Sequence, residues 1–332
     1  MLQREFAKVL DGISYAYMGA RKGSKPRVFH DCTLGEYLET HAVSDPYEFF
    51  ANAGHTPEVT VRAVSARMGY SLTRFHFKSL VRTPHPENNT VHCRLYEING
   101  RPDAPAVVVL HGWQMESYAF FDYYCRFLVR QGFNAVLVDL PYHMRRRAHG
   151  SHHGQYTFSD DAVLTLKVMK QSVSDVQCVI NWLKSRGAER VGAFGVSYGG
   201  MLTGLVGCAA PDLDFMMCVA PPANLFEFFT STPLGREFAK RNPRMYAEVR
   251  QRRDVFERIS IENMTPKMPP EKIFLVMAEY DGMVSPEALD RLWKAWQRPY
   301  YERYVHGHLS VILFNPSMSR HMRRWLRDVM KP

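Results

Sequence analysis

The sequence predicts an α/β fold in which a mostly parallel central sheet is flanked by helices and interrupted by one helical insertion. Three observations predict it. Short, continuous apolar runs recur along the chain, as in Ala106-Val107-Val108-Val109-Leu110 and Ile273-Phe274-Leu275-Val276-Met277. Runs of this length, bounded by Gly and Pro, suit strands buried on both faces of a parallel sheet. Amphipathic helical segments lie between them, and alternating strands and helices imply βαβ units. The residues with the clearest chemistry sit just after the apolar runs, where such sheets gather their functional groups.

With 332 residues, 46% of them hydrophobic and 23% charged, the chain has ample material for a large core. Residues 1–68 read as a mainly helical extension, as in Leu2-Phe6-Val9-Leu10 and Leu34-Tyr37-Leu38, punctuated at Gly23-Ser24-Lys25-Pro26 and Asp45-Pro46. From about residue 69 the period changes. Tyr70 to Leu80 and Val91 to Ile98 read as two strands around the polar stretch Thr83 to Thr90. Buried strands follow at Ala106–Leu110, Ala135–Val138, Val191–Phe194, Met216–Val219 and Ile273–Met277, and Tyr300 to Val305 is a further short, strand-like stretch. Helices are expected over Tyr118 to Arg130, Asp160 to Arg186, Gly199 to Ala209 and Pro286 to Trp296. Residues 69–220 and 271–332 thus form two parts of one core. The intervening residues 221–270 are too long for a simple connection and read as a helical lid.

The formal net charge is +9, but the bases are scattered among acids. Only Arg145-Arg146-Arg147 and Arg236 to Arg258 are concentrated, and neither matches a nucleic-acid module, so no nucleic-acid partner is expected. Peripheral contact with an anionic membrane would need an apolar patch beside those bases. None of the six cysteines forms a CxxC pair, and four of them lie in apolar stretches. That usage fits a reducing, cytoplasmic compartment. The N-terminus lacks the apolar core of a secretory signal, and no stretch is long and apolar enough to span a membrane.

Gly195-Val196-Ser197-Tyr198-Gly199-Gly200 follows an apolar run and opens a helix. A serine hydroxyl is a poor nucleophile until a base takes its proton, and a sharp strand-to-helix turn lifts it clear of the backbone. Small neighbours are needed because that turn is crowded. Ser197 is therefore the candidate nucleophile. The backbone N–H of Tyr198 is one candidate oxyanion donor, and Trp113, in the loop Leu110-His111-Gly112-Trp113, supplies the second. His111 is either an ordering residue of that loop or part of the substrate site.

With the nucleophile first, the acid and then the base are expected at later strand ends. Asp281 follows a buried run and precedes Pro286, while Glu279 competes from a place nearer the strand. The base lies in Tyr304-Val305-His306-Gly307-His308. The glycine before it gives His308 the freedom to swing over the serine, which favours it over His306. The loop from Pro141 to His153 carries Tyr142, Arg145 and Arg146 among several histidines. Its arginines either recognise an anionic substrate group at the pocket mouth, or one of them pairs with an acid of the lid while the rest face water. Phe226, Phe228 and Phe229 of the lid would cover an apolar acyl or alcohol group.

Over roughly residues 70 to 330 these features resemble the α/β-hydrolase superfamily: His111-Gly112-Trp113, Gly195 to Gly200, Asp281 with Val284-Ser285-Pro286, and Gly307-His308. Asp139-Leu140-Pro141-Tyr142-His143-Met144-Arg145-Arg146 resembles the corresponding loop of esterase-like and dienelactone-hydrolase-like members. The resemblance implies an eight-stranded sheet and hydrolysis without metal or organic cofactor; the residues themselves lead to the expectation of a serine hydrolase acting on a small-molecule ester or other acyl compound. Dienelactone hydrolases generally use a cysteine nucleophile, and this chain departs from them at Ser197. The fold hosts many chemistries and does not itself fix a substrate.

Overall fold

The computed structural model describes residues 4–7, 9–13, 32–41, 43–52, 54–313 and 315–331. The expected break at Gly23 to Pro26 lies outside the described residues, as does Leu2. Among these described residues nine strands form one sheet in the order β1-β2-β3-β5-β4-β6-β7-β8-β9. In chain order these are β1 (Thr60–Ala66), β2 (Tyr70–Lys78), β3 (Thr90–Ile98), β4 (Ala106–Leu110), β5 (Asn134–Val138), β6 (Val191–Val196), β7 (Phe215–Val219), β8 (Ile273–Ala278) and β9 (Tyr300–Tyr304). β1, β2 and β3 pair antiparallel with their successors up to β5, and the neighbours from β5 to β9 are all parallel. The centre consists of the five fully buried runs picked out by hydrophobicity alone.

The strand in excess of eight is β1, which falls inside the stretch expected to be a helical extension. It is an edge strand with Val61 56% and Val64 64% exposed, and it pairs only with β2. With neither face buried, it carries no apolar alternation for a sequence reading to detect. The expected helical material of this region is nonetheless present. Residues 4–7 and 9–13 are helical, followed by α1 (Leu34–Thr40) and α2 (Pro46–Phe50). Thr33 and Glu36 form a capping box at α1, and Asp45 caps α2 ahead of Pro46.

Two apolar layers sandwich the sheet. On one face, α4 (Ala162–Ser185) and α5 (Tyr198–Ala209) pack with α1 and α2. On the other lie α3 (Ala119–Arg130), through Phe121, Tyr124 and Leu128, and the C-terminal α12 (Pro316–Val329), through Met318, Met322 and Trp325. Between β7 and β8 the chain builds four short helices, α6 (Leu225–Thr230), α7 (Pro233–Arg241), α8 (Pro243–Gln251) and α9 (Arg253–Arg258). Their buried faces, including Phe228, Leu234, Met245 and Phe256, join the α4–α5 layer. α10 (Pro286–Ala295) starts at the Ser285 cap and follows β8, and α11 (His308–Leu313) follows β9. Among the described residues no helix is long and apolar enough to cross a membrane. All six cysteines are free thiols.

Candidate active site

Ser197 stands between β6 and α5 with φ 55° and ψ −121°, a conformation that costs a non-glycine residue roughly 1–3 kcal/mol. The strain is held by packing. A Cβ on Gly195 would overlap the carbonyl of Gly199, and one on Gly199 would overlap the carbonyls of Leu110 and His111. Ser197 N–H donates to the Val219 carbonyl of the next strand at 2.8 Å, and its own carbonyl accepts the Met201 N–H at 3.0 Å. The hydroxyl is thereby fixed at the carboxyl edge of the sheet.

His308 reaches that hydroxyl from the first residue of α11, just after β9. Its Nε2 is 2.8 Å from Ser197 Oγ, and its Nδ1 is 2.7 Å from Asp281 Oδ2. With the carboxylate accepting from Nδ1–H, Nε2 is left as the acceptor for the serine proton. Asp281 Oδ1 is engaged by the N–H groups of Met283 and Val284, each at 2.8 Å, which fixes the orientation of its other oxygen. Burial disfavours the imidazolium of His308, but the Asp281 charge and hydrogen bond, with Asp11 beyond, outweigh it and raise the pKa above the ordinary 6.5. An imidazole so placed can take a proton from the hydroxyl and hold it as imidazolium. Glu279 stays out of this chain of contacts; its carboxylate lies 3.9 Å from Arg303. His306 turns to Ser310 Oγ at 3.1 Å instead.

The loop after β4 passes beside the serine, such that a Cβ on Gly112 would stand 3.7 Å from Ser197 Cβ. Trp113 lies on the cavity wall, with its Nε1–H donated to the Gly154 carbonyl at 2.8 Å. Tyr198 opens α5, where the first N–H groups have no acceptor within the helix. A cavity of about 230 Å³ opens over Ser197 and His308, and its other walls are almost wholly apolar. Phe120, Phe158, Met201, Phe228, Leu234 and Ile312 are among them.

The expected substrate contacts of the 141–153 loop and His111 are not on that wall. Arg146 is fully buried, pairs with Asp175 of α4 at 2.8 Å and donates to the carbonyls of Asn88 and Asp139. The acid it meets is thus in the core, and not in the lid. Arg145 faces solvent, and Tyr142 is buried with its hydroxyl 3.0 Å from His85 Nδ1. His111 Nε2 accepts the Leu140 N–H at 3.1 Å, and burial, the chief cause, holds the ring neutral with its pKa lowered to about 4. His143 accepts the Gln114 N–H at 2.9 Å, and His153 accepts that of Met144 at 2.9 Å. The histidine-rich loop is therefore a scaffold that ties the 111–114 segment in place. Phe226 is half-buried under Arg253 and does not line the cavity, whereas its neighbours Leu225 and Phe228 do. Phe229 is buried in the core behind them. Sequence reading missed Phe158, Met201 and Ile312, which converge only in three dimensions.

A doubly layered sheet with a strained serine at a strand-to-helix turn defines an α/β protein of the nucleophile-elbow class. The chain belongs to the alpha/beta hydrolase family, whose model matches residues 107–332. No curated protein sequence matches it. Among solved structures it is similar to an acetyl xylan esterase from Paenibacillus sp. R4, with TM-score 0.64 and 15% identity over 92% of this chain and 96% of that one. It is also similar to acetyl xylan esterase 1 from Thermoanaerobacterium sp. JW/SL YS485, with TM-score 0.60 and 14% identity over 95% and 98%. An acylaminoacyl peptidase from Pyrococcus horikoshii aligns at TM-score 0.57 and 15% identity over 79% of this chain and 41% of that one. Likeness at these identities establishes the fold. Among the described residues no cluster of three or more His, Cys, Asp or Glu side chains is arranged to hold a metal ion.

Proposed function

We propose that the protein is a serine hydrolase that cleaves carboxylic esters through an acyl-enzyme, with Ser197, His308 and Asp281 as its triad. The observation that carries this is the continuous chain of contacts Ser197 Oγ–His308 Nε2–Asp281 Oδ2, at 2.8 and 2.7 Å, on the floor of an apolar cavity. His308 takes the hydroxyl proton as Ser197 Oγ attacks the ester carbonyl. The tetrahedral oxyanion meets the backbone N–H groups of Tyr198 and Trp113, with the α5 N-terminus adding favourable potential. His308 then returns the proton to the leaving alcohol, and water cleaves the acyl-enzyme by the same route. Residues 221–270 act as the lid over the cavity.

The aliphatic and aromatic walls support an apolar acyl or alcohol part of the ester. The esterase names of the structural relatives accord with ester cleavage. Amide cleavage is the second reading, favoured by the peptidase among those relatives. Turnover of p-nitrophenyl esters by wild type and Ser197→Ala tests the proposal, with p-nitroanilides run beside them. Ester turnover lost in the variant, together with fluorophosphonate labelling of wild type alone, supports it. Equal turnover by both proteins would remove it, and a preference for anilides would shift it to an amidase.

A further inference from the structure

One carboxylate behind the candidate triad has no part in the mechanism above. Asp11, in the N-terminal helical residues 9–13, is only 2% exposed. Its Oδ2 accepts the N–H groups of Gly282 and His308, both at 3.1 Å, and its Oδ1 accepts that of Leu309 at 3.1 Å. Gly282 follows Asp281 directly. A single side chain from the far end of the sequence therefore joins the loop bearing the acid to the loop bearing the base.

The approach depends on small residues. A Cβ on Gly307 would stand 2.9 Å from Asp11 Oδ2 and 3.0 Å from the Cβ of Ala7, itself 1% exposed. Gly307 and Ala7 thus form the seat on which the N-terminal segment rests against the His308 loop. Burying a carboxylate is costly, and burial raises the pKa of Asp11. The Leu309 N–H and the His308 ring oppose that rise, Asp281 adds to it, and the Gly282 N–H opposes it again. Three backbone N–H donors converge on the carboxylate and offset part of the cost of burying it.

We propose that Asp11 is a positioning residue for the Ser197–His308–Asp281 relay, tying the Asp281 and His308 loops into one unit from the N-terminal segment. The inference rests on the hydrolase reading. It extends the functional part of the chain back beyond residues 107–332, the stretch matched by the family model. The groups facing His308 are Ser197 and Asp281 at its ring nitrogens and Asp11 behind its backbone. Those bearing on Asp11 are His308 and Asp281, while Arg4 of the same segment lies over the Tyr280 ring.

Asp11→Asn sets an amide nitrogen against backbone N–H donors and removes one negative charge near the imidazole. Misplacement of a catalytic group on the ångström scale costs up to about 100-fold in rate, so kcat for p-nitrophenyl butyrate should fall by roughly 10- to 100-fold with KM little changed. The acid limb of the kcat/KM profile should move to lower pH, because His308 loses a charge that favours its protonated form. Circular dichroism and thermal melting check the fold. Should Asp11→Asn unfold, Ala7→Leu keeps the carboxylate but lifts it from its seat, and the same two readings are expected. A folded variant with wild-type kcat overturns the proposal, and so does a slowed one whose acid limb stays in place. Ser197→Ala is assayed in parallel; turnover retained there would sink the hydrolase reading itself, independently of Asp11.

Discussion

The cavity over Ser197 makes a quantitative demand on the substrate. Its walls are nearly all hydrocarbon, and its volume is about 230 Å³. Each methylene transferred from water into such a site contributes about 0.8 kcal/mol. At 1.36 kcal/mol per tenfold, that corresponds to roughly fourfold in kcat/KM per methylene. Lengthening the acyl chain from acetate to butyrate adds two methylenes, about 1.6 kcal/mol, and should raise kcat/KM by about 15-fold. The rise should stop once the cavity is filled. Initial rates with a series of p-nitrophenyl alkanoates at substrate concentrations well below KM give kcat/KM directly, and the common leaving group keeps intrinsic reactivity nearly constant. Phe228→Ala, which enlarges the lid side of the cavity, should move the plateau to longer chains. A series that is flat or falling from acetate to butyrate would refute the argument that this cavity receives the acyl chain.

Further tests follow from individual contacts. His308→Ala should lower kcat/KM by at least about 10³-fold, because the serine then has no base. His306→Ala, which removes only the contact with Ser310, should stay within about tenfold of wild type in the same assay. The acid limb of the wild-type profile should lie above the ordinary histidine pKa, since His308 must be neutral to accept the proton and Asp281 raises its pKa; Asp281→Asn should move that limb to lower pH. Arg146→Met leaves the Asp175 carboxylate buried and unpaired, so it should cost about 3–5 kcal/mol in chemical denaturation, against less than about 0.5 for the exposed Arg147→Ala. Burial lifts Asp139 to about 6 from its ordinary 3.8, against the Tyr118 hydroxyl, the Arg145 N–H and two arginine charges. The folded protein then holds that proton to higher pH than the unfolded chain does. Its stability falls as pH rises through this window, and Asp139→Asn should gain on wild type by up to roughly 3 kcal/mol between about pH 4 and pH 7.

What could be read from the sequence divides along physical lines. The five central strands are buried on both faces, so their apolar runs announced them to within a residue or two at either end. The strand β1 has no buried face and gave no such signal. Ser197, Asp281 and His308, proposed above as the triad, could be picked out as candidates because each sits at a strand end in a local pattern, a crowded turn, a carboxylate before a capped helix, a histidine after glycine; the structure brings the three within hydrogen-bond distance of one another. For Arg145 and Arg146 two readings stood side by side, anion recognition or one ion pair with the rest in water, because neighbouring positions of the short 3-10 turn Met144–Arg146 face in different directions. One side chain points to water and the other into the core, where Asp175 lies 29 residues further along the chain. The α12 helix was not anticipated, although Met318, Met322, Trp325 and Val329 recur at helical spacing.

Asp11 belongs to a third kind of residue, for which no local pattern exists. Its partners are backbone N–H groups 271, 297 and 298 residues away, and any exposed helical aspartate would look the same in sequence. His143 acts in a comparable way, since it accepts a backbone N–H of Gln114 across 29 positions. Both sides of the serine are thus held by side chains that satisfy main-chain groups of functional loops. The proposed reactive atoms come from short motifs, whereas their placement comes from long-range contacts that bury polar side chains. Each such burial costs stability unless its partners are met, which is why the contacts of Asp11 and His143 are better tested through rate and pH profile than through melting temperature alone.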